Sequence, residues 1–504
     1  MNRSSKSSTT SSNLLPLPPG PWKLPLIGSM HHLLFPSGSL PHIRLRDLSQ
    51  KHGPHLMHIQ LCERSTIVAS SPEAAREIYK THDLNFAQRP PSIAGNIVTY
   101  GCTGIALSPY GHYWRHIRKL CTMELLSTKR VRSYHSIRQE EVLSLMTFVA
   151  RNQGSCINLG EKIFHLMYAV ISRASFGERF KEQEKVYEVV KAIVVEAGLL
   201  GVTDLFPSKK WLQVVSGERR KYEELHRKVD EVLDDIINGV ALKVEEGEAE
   251  GLLPVLLNLK DQDDLELPLT MDNVKAVILV SIYIYIYAYI SVSDIFVGAT
   301  ETSSITIEWA MSELLRNPGA MRRAQEEVRE AFRSKGYIDD ETSIEKLDYL
   351  KAVIKETLRL HPPLPLTAPR VARESCHILG FHIPKGAQVF VNAWAIMRDP
   401  NHWAQPERFY PERFLGSGID FTSPHFHYKP FGSGKRICPG MLFALPNLEV
   451  PLAHLLFHFD WELPFGTTPQ NLDMSEAFGS SVKKKKDLFV IPTTYAEVPI
   501  LTTK

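Results

Sequence analysis

The stretch that most constrains this chain is Phe431-Gly-Ser-Gly-Lys-Arg-Ile-Cys438-Pro-Gly440. It sets one cysteine among three glycines, with Lys435 and Arg436 just before it and Pro439 just after. A proline suits the first turn of a helix, where its missing N–H costs nothing, and the run from Met441 to Phe459 is largely apolar. Cys438 is therefore expected beside a helix N-terminus, whose partial positive charge favours thiolate over thiol. A thiolate held this way can serve as a metal ligand or a nucleophile; a buried cysteine in a glycine-rich turn is the bland alternative. Gly432, Gly434 and Gly440 would let the backbone approach a flat ligand closely, and Lys435 and Arg436 add positive charge for anionic groups.

The pattern Phe-x-x-Gly-x-Arg-x-Cys-x-Gly resembles the haem-binding loop of cytochrome P-450 monooxygenases. That resemblance implies haem b (iron protoporphyrin IX) as cofactor, with Cys438 as the axial iron ligand that pushes electron density toward O–O cleavage. Phe431, Arg436 and Gly440 complete the loop. Upstream, Gly111-His-Tyr-Trp114-Arg-His-Ile-Arg118-Lys119 reads as a basic helix on which Trp114 and Arg118 share a face. An indole N–H and a guanidinium one turn apart can meet the two haem propionates, although a solvated basic helix with a tryptophan anchor has the same pattern.

Asp294-Ile-Phe-Val-Gly-Ala-Thr-Glu301-Thr302-Ser303 resembles the oxygen-activating helix of the same family, written Ala/Gly-Gly-x-Asp/Glu-Thr-Thr/Ser. The likeness assigns Thr302 to hydrogen-bond the activated dioxygen and Glu301 to relay protons; Ala299 stands where glycine is usual. Lys355-Glu356-Thr-Leu-Arg359 and Pro411-Glu412-Arg413-Phe414 resemble the two motifs that build a buried triad of Glu356, Arg359 and Arg413 behind the haem. A buried Glu–Arg pair needs such further partners. Between them, His361-Pro-Pro-Leu-Pro-Leu-Thr-Ala-Pro369-Arg370 leaves the helix in extended form, with Arg370 matching a propionate contact. By the same likeness the substrate pocket takes Ile105, Leu205, Val297, Ala299, Leu366, Thr367 and Phe478, a mainly apolar set.

Composition agrees with a large globular protein. The 504 residues are 43% hydrophobic and 23% charged, and the formal net charge of +2 gives no hint of nucleic acid. Six scattered cysteines, with no Cys-x-x-Cys, argue for a reducing compartment or a surface facing one.

Residues 1–13 are polar, rich in serine and threonine, and expected to be disordered. Residues 14–29 carry a stiff proline-rich segment, like the hinge that follows the membrane helix of microsomal members. That helix is not present before the hinge in this chain, which suggests truncation or a start that is not natural. Residues 30–495 should form one domain and 496–504 a tail. Strands are expected near 56–70, 376–380 and 388–391, a helix over 72–81, a loop over 95–109, and mostly helix from 130 to 260. Pro446 should kink or weaken the helix after Cys438.

One segment breaks the pattern. Val280-Ser-Ile-Tyr-Ile-Tyr-Ile-Tyr-Ala-Tyr-Ile-Ser-Val-Ser293 interrupts the oxygen-activating helix, and its removal would join Leu279 to Asp294 in one helix. An alternating A/T repeat would encode the Ile-Tyr run, so a retained intron or gene-model error is the preferred reading. A membrane span over 276–293 and an exposed strand are the competing ones. Fourteen residues would lengthen a helix by ~21 Å and rotate its halves by roughly 40°, so the insert must loop out or misfold the chain.

The resemblance is strongest to plant microsomal members of family 71, especially its D subfamily. It implies a mainly helical body with small β-sheets around a buried haem. The expected activity is a monooxygenase that puts one oxygen atom from O2 into a hydrophobic terpenoid, alkaloid or phenolic. Electrons would come from NADPH through an acidic flavoprotein, the NADPH-cytochrome P-450 reductase, docked on Arg115, Lys119, Lys429 and Lys435. The expected location is the cytosolic face of the endoplasmic reticulum, in contact with the membrane surface. Two alternatives are a non-functional haem protein disabled by the insertion and a member that rearranges substrates without dioxygen; the Glu301–Thr302 pair disfavours the second.

Overall fold

The computed structural model describes residues 15–34, 39–177, 201–245, 251–260, 268–283, 296–338, 341–479 and 481–499. The expected tail over 1–13 lies outside them. The chain begins with an extended strap. Its Pro19 carbonyl accepts from His58 N and its Pro16 carbonyl from His382 N, at 2.9 and 2.8 Å. Gly20 is required by this contact, since a Cβ there would sit 1.8 Å from the His58 carbonyl oxygen.

Helix α1 (Pro41–His52) leads into the hairpin β1 (Leu56–Leu61) and β2 (Arg64–Ala69). Ser71 caps α2 (Pro72–Arg76) by accepting from Ala74 N, with Pro72 in the first turn; the helix continues as a π-turn over Glu77–Thr81. Part of the expected loop is helical, as α3 (Ile93–Val98), because the Ser92 hydroxyl accepts from Gly95 N and starts a turn. The basic segment forms α4 (His112–Leu120). Next come α5 (His135–Arg151), the short β3 (Ile157–Asn158) and α6 (Leu159–Phe176), which Gly177 closes in a left-handed conformation, φ 88°.

Helices α7 (Val202–Leu205), α8 (Glu218–Glu245), α9 (Leu252–Lys260) and α10 (Met271–Tyr283) form one side of the body. Helix α11 (Phe296–Arg316) runs through its centre, packing against α6, α10, α13 and α14. Its Ile307, Trp309, Ala310, Met311 and Leu314 are all buried, as expected of a helix covered on every side. Beyond it lie α12 (Pro318–Phe332), α13 (Asp348–Leu360) and the strands β4 (Arg370–Val371), β5 (Cys376–Ile378), β6 (Phe381–Ile383) and β7 (Gln388–Val391). Last come α14 (Met441–His458), β8 (Phe459–Glu462), the hairpin β9 (Glu476–Phe478) and β10 (Val482–Lys484), and β11 (Phe489–Thr494).

The largest sheet has the order β1-β2-β7-β4; β2 and β7 pair in parallel, with Thr66 opposite Gln388. Smaller sheets are β3-β11-β8 and two hairpins. Tyr495 and Ala496 both donate to the His458 carbonyl, so the chain stays attached to the body through 496.

Two expectations concern α14 and the helix pair α10 and α11. Helix α14 runs unbroken through Pro446 and Pro451. Each interior proline costs ~3 kcal/mol or more, but Leu448, Val450, Leu452, Leu455 and Leu456 are at most 2% exposed, and each such side chain returns ~1.5–3 kcal/mol on burial. The interrupted helix appears as two, α10 and α11, which pack against each other. The start of the insert, through Tyr283, is helical and not extended; residues 284–295 lie outside the described ones. Among the described residues no helix is long and apolar enough to cross a membrane.

Candidate active site

The Cys438 loop is closed by three backbone bonds: Cys438 N to Phe431 O (3.1 Å), Gly432 N to Lys429 O (3.0 Å) and Ile437 N to Gly434 O (3.0 Å). Gly432 and Gly434 have positive φ, 69° and 75°. Their surroundings differ. A Cβ on Gly434 would lie 2.5 Å from Asp83 Oδ1 and 2.6 Å from Tyr79 O, so this glycine lets the loop sit on the π-turn. Gly432 lines the cavity, and its positive φ also selects glycine. Gly440 has ordinary φ, −86°, and caps α14 beside Cys438. The helix therefore starts two residues after Pro439.

Cys438, Phe431 and Gly440 line one part of a cavity. Its opposite wall is α11, through Ala299, Thr302, Ser303 and Thr306. A third side comes from the segment after α13, including Pro363, Leu364, Thr367 and Ala368. Three buried guanidiniums, Arg89, Arg370 and Arg436, line the rim. Arg436 is held by the Ala87, Ile105 and Ser108 carbonyls at 2.9, 3.0 and 2.6 Å and stacks over Trp114. Arg89 donates to the Ala106, Ala368 and Pro369 carbonyls. Arg370 reaches Ser433 O (2.7 Å) and Asp83 Oδ1 (3.2 Å) and lies over the Tyr79 ring. Burial pulls its pKa down, against the pull of Tyr79 and Asp83.

Trp114 and Arg118 stand behind the rim. The Trp114 indole N–H donates to Ile105 O (2.8 Å), and Arg118 donates to Ile437 O (2.6 Å) in the cysteine loop. They brace Arg436 and the loop without lining the cavity. On α11, Thr302 faces the cavity and its carbonyl accepts from Thr306 Oγ1 at 2.7 Å. Glu301 is buried away from this wall and accepts from Ser481 Oγ at 3.0 Å.

The triad residues are brought together. Glu356 accepts from Arg359 twice (2.7 and 2.9 Å), from Arg413 Nε (3.1 Å) and from Tyr410 N (2.8 Å). Arg359 also donates to the Met397 and Pro406 carbonyls. Neither Glu356 nor Arg359 has any exposed surface.

Of the expected substrate residues, Ala299 and Thr367 line the cavity. Leu366 and Leu205 are buried in the core, and Ile105 serves the site through its carbonyl. Phe478 is half-buried on β9. The Val297 side chain lies outside what the structure describes. Two wall residues, Tyr79 and Arg89, carry no sequence signal, since a lone tyrosine or arginine between helix and loop matches no pattern. Tyr79 OH donates to Thr367 Oγ1 at 2.9 Å. Lys429 does not belong to a surface face: it is buried, with its ammonium on the Phe421 and Ser423 carbonyls, whereas Arg115, Lys119 and Lys435 are exposed.

The cavity fits a haem. It is flanked by apolar side chains such as Leu126, Leu358, Phe443 and Leu448, with a thiol on one face and guanidiniums at the rim. A buried cationic rim favours an anionic occupant, because buried charges are tolerated when paired.

Comparison with known proteins agrees with this geometry. The cytochrome P450 family model matches residues 18–490. The chain is 49% identical to desmethyl-deoxy-podophyllotoxin synthase of Sinopodophyllum hexandrum, over 97% of this chain and 94% of the relative. It is 46% identical to premnaspirodiene oxygenase of Hyoscyamus muticus (95% and 93%) and to cytochrome P450 71D11 of Lotus japonicus (96% and 96%). Among solved structures, a zebra fish cytochrome P450 with progesterone superposes with a TM-score of 0.74 at 25% identity, covering 90% of this chain and 100% of that one.

Proposed function

The chain belongs to the cytochrome P450 family, among its plant 71-type members, and from that premise we propose that it oxidises a hydrophobic plant terpenoid, alkaloid or phenolic. It is a monooxygenase that uses haem iron, O2 and a redox partner. The observation that carries the reading is the Cys438 thiol on the floor of a largely apolar cavity, opposite Thr302. The substrate range draws support from relatives whose names specify premnaspirodiene, germacrene A and tabersonine.

When bound, haem supplies the redox chemistry that splits dioxygen. The protein's own residues do the rest. Cys438 would ligate the haem iron, with its loop pinned by Arg118 at Ile437 O and by the Gly434 contact. Arg370 and Arg436 would meet the haem propionates, with Trp114 supporting Arg436 from behind. Thr302 holds a proton at its hydroxyl facing the cavity, and Glu301 supplies that hydroxyl. Ala299, Thr367 and Ala368 shape the substrate space and exclude water. Residues 30–495 act as one catalytic domain. Electrons come from NADPH through the reductase, docked on a basic face that includes Arg115, Lys119 and Lys435. Exposed Trp22, Leu26, Trp211, Val214 and Val215 support contact with the cytosolic surface of the endoplasmic reticulum.

A second reading, a haem protein disabled by residues 280–293, is motivated by the division of the oxygen-activating helix into α10 and α11. The reduced carbon-monoxide difference spectrum, taken for this chain and for one lacking 280–293, separates the two. A red-shifted thiolate–haem band from both supports the enzyme reading of this chain. A band from the shortened chain alone makes this chain the disabled product. No band from either counts against the Cys438 ligand assignment or the integrity of the fold around Pro446.

A further inference from the structure

The turn between β9 and β10 touches the site at two adjacent residues. Ser481 Oγ donates to Glu301 Oε2 at 3.0 Å, with both residues buried, 5% and 7% exposed. The next residue, Val482, donates its N–H to the Pro363 carbonyl at 2.9 Å, and Pro363 lines the cavity. One end of this clamp is therefore on the wall a substrate would press, and the other is on the carboxylate that precedes Thr302. We propose that Ser481 is a positioning residue for Glu301, and that through it the β9–β10 turn couples the cavity wall at Pro363 to proton supply on α11.

The geometry explains why such a residue is needed. Consecutive helical residues point about 100° apart. With Thr302 on the cavity wall, Glu301 faces the hairpin and must be held at a defined angle to serve its neighbour. A hydroxyl donor fixes the angle of the carboxylate oxygen it bonds. The hairpin does not depend on this bond for its own place. Glu476 on β9 is paired with His42 (3.2 Å) and lies 3.6 Å from His361. Lys484 on β10 sits 4.9 Å from the Trp309 ring centroid and bonds the Asp473 carbonyl. Loss of the Ser481 hydroxyl should thus misdirect Glu301 without freeing the turn.

This inference rests on the proton-relay reading of Glu301 and Thr302, and its test separates the two. The holoenzyme is reconstituted with a plant NADPH-cytochrome P450 reductase and no added substrate. NADPH oxidation is then followed in H2O and D2O, with hydrogen peroxide counted per NADPH. Peroxide takes one NADPH for each O2, and water takes two. In Ser481→Ala, NADPH oxidation should slow about tenfold, the scale of a lost hydrogen bond to a charged group. Its solvent isotope effect should rise, and more peroxide should form per NADPH. Ser481→Thr should restore all three. The carbon-monoxide band must be unchanged; if Ser481→Ala loses it, the near-isosteric Ser481→Cys carries the test. If Glu301→Gln shows the changes and neither Ser481 variant does, the positioning role is wrong. If Glu301→Gln also shows none, the relay reading fails and takes this inference with it.

Discussion

The floor of the cavity and its distal wall are held by different forces. Behind the floor, Glu356 accepts four hydrogen bonds and Arg359 donates to three carbonyls, and these two central residues have no exposed surface. The hydroxyls of the wall helix α11 bond mainly to their own helix: Ser304 to Glu301 O, Thr306 to Thr302 O and Ser312 to Glu308 O. Its contacts with α6, α13 and α14 are mainly apolar, with single carboxylate bonds from Glu301 to Ser481, Glu308 to Leu488 N and Glu313 to His361. A polar network fails as a unit when one member is removed, because the others are left buried and unpaired. An apolar contact surface loses stability in proportion to what is cut from it. Packing of this kind is what lets α11 present Thr302 to the cavity.

Substitutions should separate the two sides, and the largest effects belong to the floor. Cys438→Ser removes the thiolate, and the red-shifted carbon-monoxide band should vanish completely. Glu356→Ala leaves Arg359 charged and buried, at a cost of about 3–5 kcal/mol, a large part of the ~5–15 kcal/mol that holds a domain folded. Little soluble haem protein should be recovered. Arg359→Lys should fare nearly as badly, because lysine cannot reproduce the forked contact. Soluble, haem-loaded Glu356→Ala at wild-type yield would break the contrast drawn above.

On the wall, Thr302→Ala should fold and bind carbon monoxide normally, while product per NADPH falls by about tenfold or more. An unchanged yield would remove Thr302 from the proton path. The smallest effect is a pH dependence. Burial raises the Glu308 carboxyl to about 7, despite the bond from Leu488 N. Its folded pKa lies above the unfolded value near 4.5, so the native state binds the extra proton between them. Stability from this group is full below about 4.5 and is lost as pH rises through 7. Glu308→Gln should flatten that loss, gaining up to about 3 kcal/mol at pH 8; thermal melts at pH 5 and 8 would show it.

Much of the floor was legible because its residues lie in short local motifs. The loop around Cys438, the Glu356–Arg359 spacing and the Pro411–Phe414 turn each announce themselves within ten residues. The strands near 56–70 and the basic helix α4 were readable from periodicity. Other features depend on contacts between distant segments. Trp114 reads as a propionate donor, yet its N–H goes to Ile105 O, which no local pattern specifies. Lys429 looks like a surface cation until the carbonyls of Phe421 and Ser423 enclose it. Pro446 reads as a weak point in its helix, and only the burial of Leu448, Leu452, Leu455 and Leu456 shows how the helix carries it. Tyr79 and Arg89 become wall residues only when the chain brings residues 363–370 against them.

The parallel pairing of β2 with β7 carries a consequence for synthesis. Thr66 cannot meet Gln388 until the segment between them has left the ribosome, on the order of tens of seconds at typical elongation rates. For that time one edge of β2, an apolar strand in which Ile67, Val68 and Ala69 end fully buried, has no native partner. The Ile-Tyr run emerges within the same interval, and strands of that composition are ready templates for one another. A nascent chain of this protein therefore presents two sticky segments before it can bury either, and its yield in a cell should depend on chaperone supply as much as on its final stability.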